Sequence, residues 1–255
     1  MSRQSPRPVA RNADRRYHRA MDILPHLDRL TPEQRAELSA ELSALVQPRR
    51  LARIDAVLAH RTRRITMLFV DTHHPHNASA AIRTCECFGI QDVHVVEETT
   101  TFRPSRDVVR GAGRWVSLHR HATCDEAITD LREAGYRVVA ASVSPDSHPL
   151  ETLDVTMPLA IALGSEERGF TSDELARVDG EVHVPMVGFT ESLNVSVTAA
   201  LLLHELTSRL RARDGWRLGA DERDELRLRW LTQEGNKGRA VTARKLREWG
   251  YLRSA

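Results

Sequence analysis

From Ile65 onward the chain alternates short apolar runs with helix-length segments, and this alternation restricts its fold more than any other feature. The runs ITMLFVD (65–71), DVHVVE (92–97), WVSLH (115–119), YRVVAASV (136–143), PLAIALG (158–164) and GEVHVP (180–185) are rich in strand formers. Helix signals lie between them. The segment from Asn77 to Phe88 is followed by Gly89, a residue suited to closing a helix. Thr123 with Glu126, and Thr171 with Glu174, have the spacing of capping boxes. Such alternation predicts an α/β fold, a mostly parallel sheet with helices on both faces.

The flanks read differently. Residues 1–20 hold two prolines and six arginines, and are expected to be a basic disordered arm. Residues 21–64 read as an N-terminal helical extension. One helix starts with Thr31 as cap and Pro32 at its first position, carries Leu38, Leu42, Leu45 and Val46 on one stripe, and is expected to break at Pro48. A second short helix carries Leu51, Ile54, Val57 and Leu58. A long helix is expected from Ser192. Its first half is apolar on nearly every face, which calls for burial on several sides, by this chain or by a second subunit. Residues 207–255 read as a C-terminal helical extension, with stretches at 221–233 and 239–249.

A formal net charge of +2 hides a partition. Residues 1–64 carry +7 and 207–255 carry +6, while 65–206 carry −11. Basic ends on an acidic body point to a polyanion bound by the ends, or to solvated arginine-rich helix faces. Arg49, Arg50, Arg53, Arg61, Arg63 and Arg64 cluster around the second helix and are the candidate contacts to such a polyanion. No apolar run is long enough for a membrane span, and the N-terminus lacks the apolar core of a secretory signal. Three cysteines without CxxC spacing point to a reducing cytoplasm. Phosphate-loop, Rossmann, nucleophile-elbow and HExxH motifs are absent from the sequence.

Three segments have the residue types of a site. In DTHHPHNASAAIRTCECFG (71–89), His73, His74 and His76 invite a metal, but Pro75 interrupts them and no fourth ligand follows at helical spacing, so no metal is expected. Asn77 reads as a helix cap. Arg83 needs an anionic partner near buried surface, either a structural carboxylate or a phosphate. LGSEERGF (163–170) leaves a strand end with glycines at 164 and 169, a tight turn or a backbone cradle. VPMVGFTESLNVSV (184–197) ends with Ser192 and Asn194 at the mouth of the long helix, as caps or as groups aimed at a ligand.

In this order and spacing, the three segments closely resemble motifs 1, 2 and 3 of the TrmH/SpoU family of SPOUT-class RNA 2′-O-ribose methyltransferases. The resemblance covers about residues 65–206, and the flanks look like those of members that methylate the D-loop guanosine at position 18 of tRNA. It implies a C-terminal trefoil knot, a homodimer, tRNA as partner and S-adenosylmethionine as cofactor. By motif position, it implies cofactor contacts at Ala141, Leu163, Gly164, Ser165, Glu166, Gly169, Val184, Pro185, Met186, Ser192, Leu193 and Asn194. Asn77, Arg83, Glu166, Ser192 and Asn194 match the catalytic positions. An Arg guanidinium stays charged at neutral pH. Arg83 is therefore expected to grip an RNA phosphate, with the proton passing to that phosphate or to a guanidine of depressed pKa, while Asn77 holds Arg83 or the ribose. The rivals are an rRNA methyltransferase of the same family and a non-catalytic RNA-binding assembly factor.

Overall fold

The computed structural model describes residues 23–102 and 111–252. The basic stretch 1–20 lies outside the described residues. The chain divides into two compact units, Met1–Ala59 with Gly219–Ala255, and His60–Leu218.

Helices α1 (Leu24–Leu27), α2 (Pro32–Ala44) and α3 (Pro48–Leu58) precede the sheet strands in sequence. The strands are β1 (Ile65–Val70), β2 (Asp92–Val96), β3 (Ser117–His121), β4 (Arg137–Ala141), β5 (His148–Pro149), β6 (Leu159–Leu163) and β7 (Glu181–His183). Among them lie α4 (Pro75–Cys87), α5 (Cys124–Glu133) and α6 (Ser172–Leu175). Helices α7 (Val195–Arg211), α8 (Ala220–Thr232) and α9 (Gly235–Glu248) follow. No described helix is long and apolar enough to cross a membrane.

The sheet of the His60–Leu218 unit runs β3-β2-β1-β6-β4-β7-β5, and every pairing is parallel. Strands β1 and β6 are buried along their whole length, which explains their nearly continuous apolar sequences. Alternate residues of β1 serve opposite faces. Met67 and Phe69 join Ala81, Ile82, Leu202 and Leu206 of α4 and α7 on one side. Leu68 and Val70 join Ala127, Ile128 and Leu131 of α5 on the other. Register then sets the position of the site. Leu163 pairs with Phe69 on one flank and with Ala141 on the other, so the loops after β1, β4 and β6 leave the sheet at one level. Strand β6 lies between β1 and β4, and such a reversal of strand order opens a crevice at the carboxyl ends.

Several boundaries differ from the sequence expectation. Strand β3 sits two residues later than 115–119, and the two-residue β5 carries no apolar run to announce it. Pro48 opens α3 at its first position, where a missing N–H costs nothing, instead of ending α2. Helix α4 begins at Pro75, so Asn77 lies inside its first turn and is not the cap. The long helix starts at Val195 with Asn194 as its cap, which leaves Ser192 and Leu193 in the preceding loop.

The other unit is helical in its described residues. Leu38, Leu42, Ile54, Leu58, Leu226, Leu231 and Leu246 are buried. Thr31 and Gln34 form a complete capping box on α2. Arg227 pairs with Asp55 at 2.7 Å, and Arg50 grips both oxygens of Glu234 at 3.1 and 3.0 Å.

Candidate active site

The ends of β4, β6 and β7 floor a crevice of about 770 Å³, a volume suited to a small-molecule ligand. Its walls come from four segments. The loop after β6 brings Leu163, Gly164, Ser165, Glu166 and Gly169, and the loop before α7 brings Val184, Met186, Ser192, Leu193 and Asn194. Ala141 lines it at the end of β4, and Asn77 from the first turn of α4.

The loop after β6 is folded back on itself. Ser165 donates to the Gly169 carbonyl at 3.2 Å, and Gly169 donates back to Ser165 at 2.8 Å. A Cβ on Gly164 would stand 2.7 Å from the Gly169 carbonyl carbon, so only glycine permits this approach. Gly169 itself has φ +67°, the left-handed region that glycine enters without strain. Arg168 anchors the loop from outside, with its two terminal nitrogens 2.7 and 2.9 Å from the Glu174 carboxylate. The Glu174 hydrogen bond raises the Arg168 pKa above the ordinary arginine value. The same guanidinium lies 3.6 Å from buried Asp71, which accepts the Thr99 amide at 2.9 Å.

One hydrogen-bond chain joins the walls. Glu166 accepts from the His73 amide at 3.0 Å and from Asn77 Nδ2 at 3.1 Å. Asn77 Oδ1 accepts from Asn194 Nδ2 at 3.1 Å. Asn194 Oδ1 accepts from the Ser196 amide at 2.9 Å, which is the cap of α7. Both ends fix the direction, since a carboxylate only accepts and a backbone N–H only donates. Both amide side chains are thereby oriented, and segments 71–89, 163–170 and 184–197 meet at one point.

The sequence profile of the SpoU rRNA Methylase family matches residues 64–204, the span that builds the sheet and this crevice. The chain belongs to that family. It is 37% identical over 193 residues to the tRNA (guanosine(18)-2′-O)-methyltransferase of Borreliella burgdorferi, covering 75% of this chain and 88% of the relative. Identity to the Escherichia coli K12 protein of the same description is 36% over 160 residues, 63% of this chain and 70% of that one. Among solved structures, the A. aeolicus TrmH/SpoU tRNA modifying enzyme superposes with a TM-score of 0.67 at 25% identity, over 73% of this chain and 96% of the other.

In this SpoU family member, eleven of the twelve residues matched to cofactor contacts line the crevice; Pro185, between two of them, does not. Arg83 is exposed on α4 and is not among the lining residues. Ser142, Val143 and Ser144 complete the wall after β4, a part the motifs do not mark. Both serine hydroxyls donate to Glu181 Oε2, that of Ser144 at 2.7 Å.

The arginines expected to touch RNA divide. Arg61 is a correction. It is wholly buried, 2.9 Å from Glu86 and 3.0 Å from the Ile90 carbonyl, so it holds the fold and offers nothing to a polyanion. Arg63 pairs with Asp92 at 2.8 Å, and Arg64 donates to the Thr156 carbonyl. Arg49 and Arg53 are exposed one turn apart on α3, on one face.

Proposed function

We propose that this protein transfers a methyl group from S-adenosylmethionine to the ribose 2′-hydroxyl of guanosine 18 in tRNA. The observation that carries this reading is the chain Glu166–Asn77–Asn194, which draws three separated segments to the mouth of one crevice. The relatives described as tRNA (guanosine(18)-2′-O)-methyltransferases support the substrate.

The donor set fits the cofactor. Apolar Leu163, Val182 and Leu202 suit a purine, while backbone at 163–169 and 184–194 and polar Ser192 and Asn194 suit its polar parts. When bound, the cofactor supplies a methyl group already activated by a neighbouring sulfonium charge. What this chain contributes is position and charge. Gly164 lets the loop 164–169 fold back on itself as one wall of the crevice. Glu166 fixes Asn77 and, through it, Asn194, so the groups at the mouth need no reorganisation when the ribose arrives. Arg83 stands six residues, about 9 Å of helix, beyond Asn77, and grips an RNA phosphate at the rim; the 2′-hydroxyl proton passes to that phosphate.

Arg49, Arg50, Arg53, Arg63 and Arg64 bind tRNA phosphates, and residues 1–20 act as a basic arm. Residues 65–206 form the methyltransferase domain, with helical extensions at 21–64 and 207–255, and the chain works in the cytoplasm. A trefoil knot at the crevice is part of this reading, supported by the insertion of β6 between β1 and β4. So is a homodimer, supported by a stripe of exposed Leu193, Val197 and Leu201 on and before α7 with exposed Val187 and Phe189 beside it in sequence.

The test is transfer from labelled cofactor to tRNA and to rRNA, followed by mapping of the modified ribose. Methylation at guanosine 18, lost when that nucleotide is replaced, supports the reading. Label confined to rRNA, or absent from both, refutes it.

A further inference from the structure

At the β3 edge of the sheet, three strand spacings or roughly 14 Å from β6, three histidines stack across β2 and β3. His94 and His119 have centroids 4.6 Å apart, and His94 and His121 5.3 Å. Nδ1 of His94 is 3.0 Å from Nε2 of His121, so a proton lies between these two nitrogens. That leaves Nδ1 of His121, on a side chain only 6% exposed. It has no hydrogen-bond partner among the described residues. Oδ2 of Asp130 is 3.2 Å away but out of line for a hydrogen bond. Glu126 stands nearby, and donor atoms of His121, Glu126 and Asp130 all lie within 4.8 Å of one another. Glu126 and Asp130 stand four residues apart on one face of α5. A buried imidazole nitrogen beside two carboxylates and without a hydrogen bond of its own, with its other nitrogen held by a neighbour, is the donor arrangement of a metal site with its outer support in place.

We propose that His121, Glu126 and Asp130 bind a divalent transition-metal ion, zinc foremost, which clips the end of β3 to α5. The nitrogen donor selects zinc and its neighbours over magnesium and calcium, which take oxygen ligands. Two carboxylates neutralise the dication. Zinc ligands at about 2.0–2.2 Å stand roughly 3.4 Å from one another, and rotation of the two exposed carboxylates closes the present spread. Glu126 keeps one oxygen on the Ala122 amide at 2.7 Å and has the second for the ion. His94 sets the orientation of the His121 ring from behind. The proposal is independent of the methyl-transfer reading, because none of its ligands lines the crevice.

The full chain, stripped with EDTA and dialysed, is titrated calorimetrically with zinc chloride and with magnesium chloride. It is then melted with and without zinc. The expected result is one tight zinc equivalent, no comparable magnesium binding, and a melting temperature raised by about 5–10 °C at a hundredfold excess over Kd. Cobalt substitution is expected to give visible bands that zinc abolishes. Glu126→Gln and Asp130→Asn, both at exposed positions, are each expected to weaken that equivalent at least tenfold and to remove the cobalt bands, with an unchanged circular dichroism spectrum. Zinc affinity equal in the variants and the parent, or no zinc-dependent rise in melting temperature, would overturn the proposal.

Discussion

Gly164 and Gly169 stand at the two ends of the same folded loop, and replacing each by alanine separates two physical causes. At Gly164 the new methyl meets backbone, 2.7 Å from the Gly169 carbonyl carbon and 2.8 Å from its oxygen, with Phe170 Cδ2 at 3.0 Å. Backbone atoms cannot rotate aside, so the loop must open, at the upper end of the range for overpacking, about 2–3 kcal/mol. At Gly169 nothing lies within 4 Å, and the only obstacle is its φ of +67°, worth about 1 kcal/mol. For a domain of this size these costs translate into melting shifts of about 4–12 °C for Gly164→Ala and about 2–4 °C for Gly169→Ala. The loop is also a wall of the crevice. If about 2 kcal/mol of the first cost falls on the ligand-ready conformation, S-adenosylmethionine affinity drops roughly thirtyfold, against less than about fivefold for the second. Calorimetric titration and thermal melts on both variants measure this directly. Equal losses in the two variants, or parental cofactor affinity in Gly164→Ala, would refute the close-approach argument.

Further outcomes follow from the same contacts. A double-mutant cycle of Asn77→Ala and Asn194→Ala should give a coupling of about 1 kcal/mol in stability; a coupling of zero would remove their mutual hydrogen bond from the account. Arg61→Met should lower stability by about 1–3 kcal/mol while tRNA affinity holds. Arg49→Ala with Arg53→Ala should do the reverse, weakening tRNA binding and reducing its salt dependence. A matching loss of tRNA affinity in Arg61→Met would restore it to the RNA surface. Burial first, then the charges on His119 and His121, pushes His94 down from 6.5 to about 3. The unfolded chain therefore binds the extra proton, and stability should fall as pH drops below about 6.5, by roughly 2 kcal/mol at pH 5. Urea titrations in EDTA of the parent and His94→Gln test this, and an acid limb no shallower in the variant would contradict it.

Much of the sheet was legible because β1 and β6 are buried on both faces and their sequences are apolar without interruption. The paired half of each cap was legible for the same local reason, since Thr31 and Thr171 find their partners three residues on. What escaped depends on distant neighbours. Asn77 is marked by its motif position, but its partner is not, since only the approach of Glu166, 89 residues later, turns its amide to the crevice. Arg61 looks like any other member of an arginine cluster until Glu86 and the Ile90 carbonyl, 25 and 29 residues away, close over it. Glu181 gathers Ser142 and Ser144 across neighbouring strands, and that pairing has no sequence period.

The central claim is that the strand-end loops 163–169 and 184–194 enclose the methyl donor. A crystal structure of the chain with saturating S-adenosylhomocysteine tests it most directly. Ligand density between those loops, within reach of Glu166 and Asn194, is the predicted result; density elsewhere, or none at saturation, would contradict it.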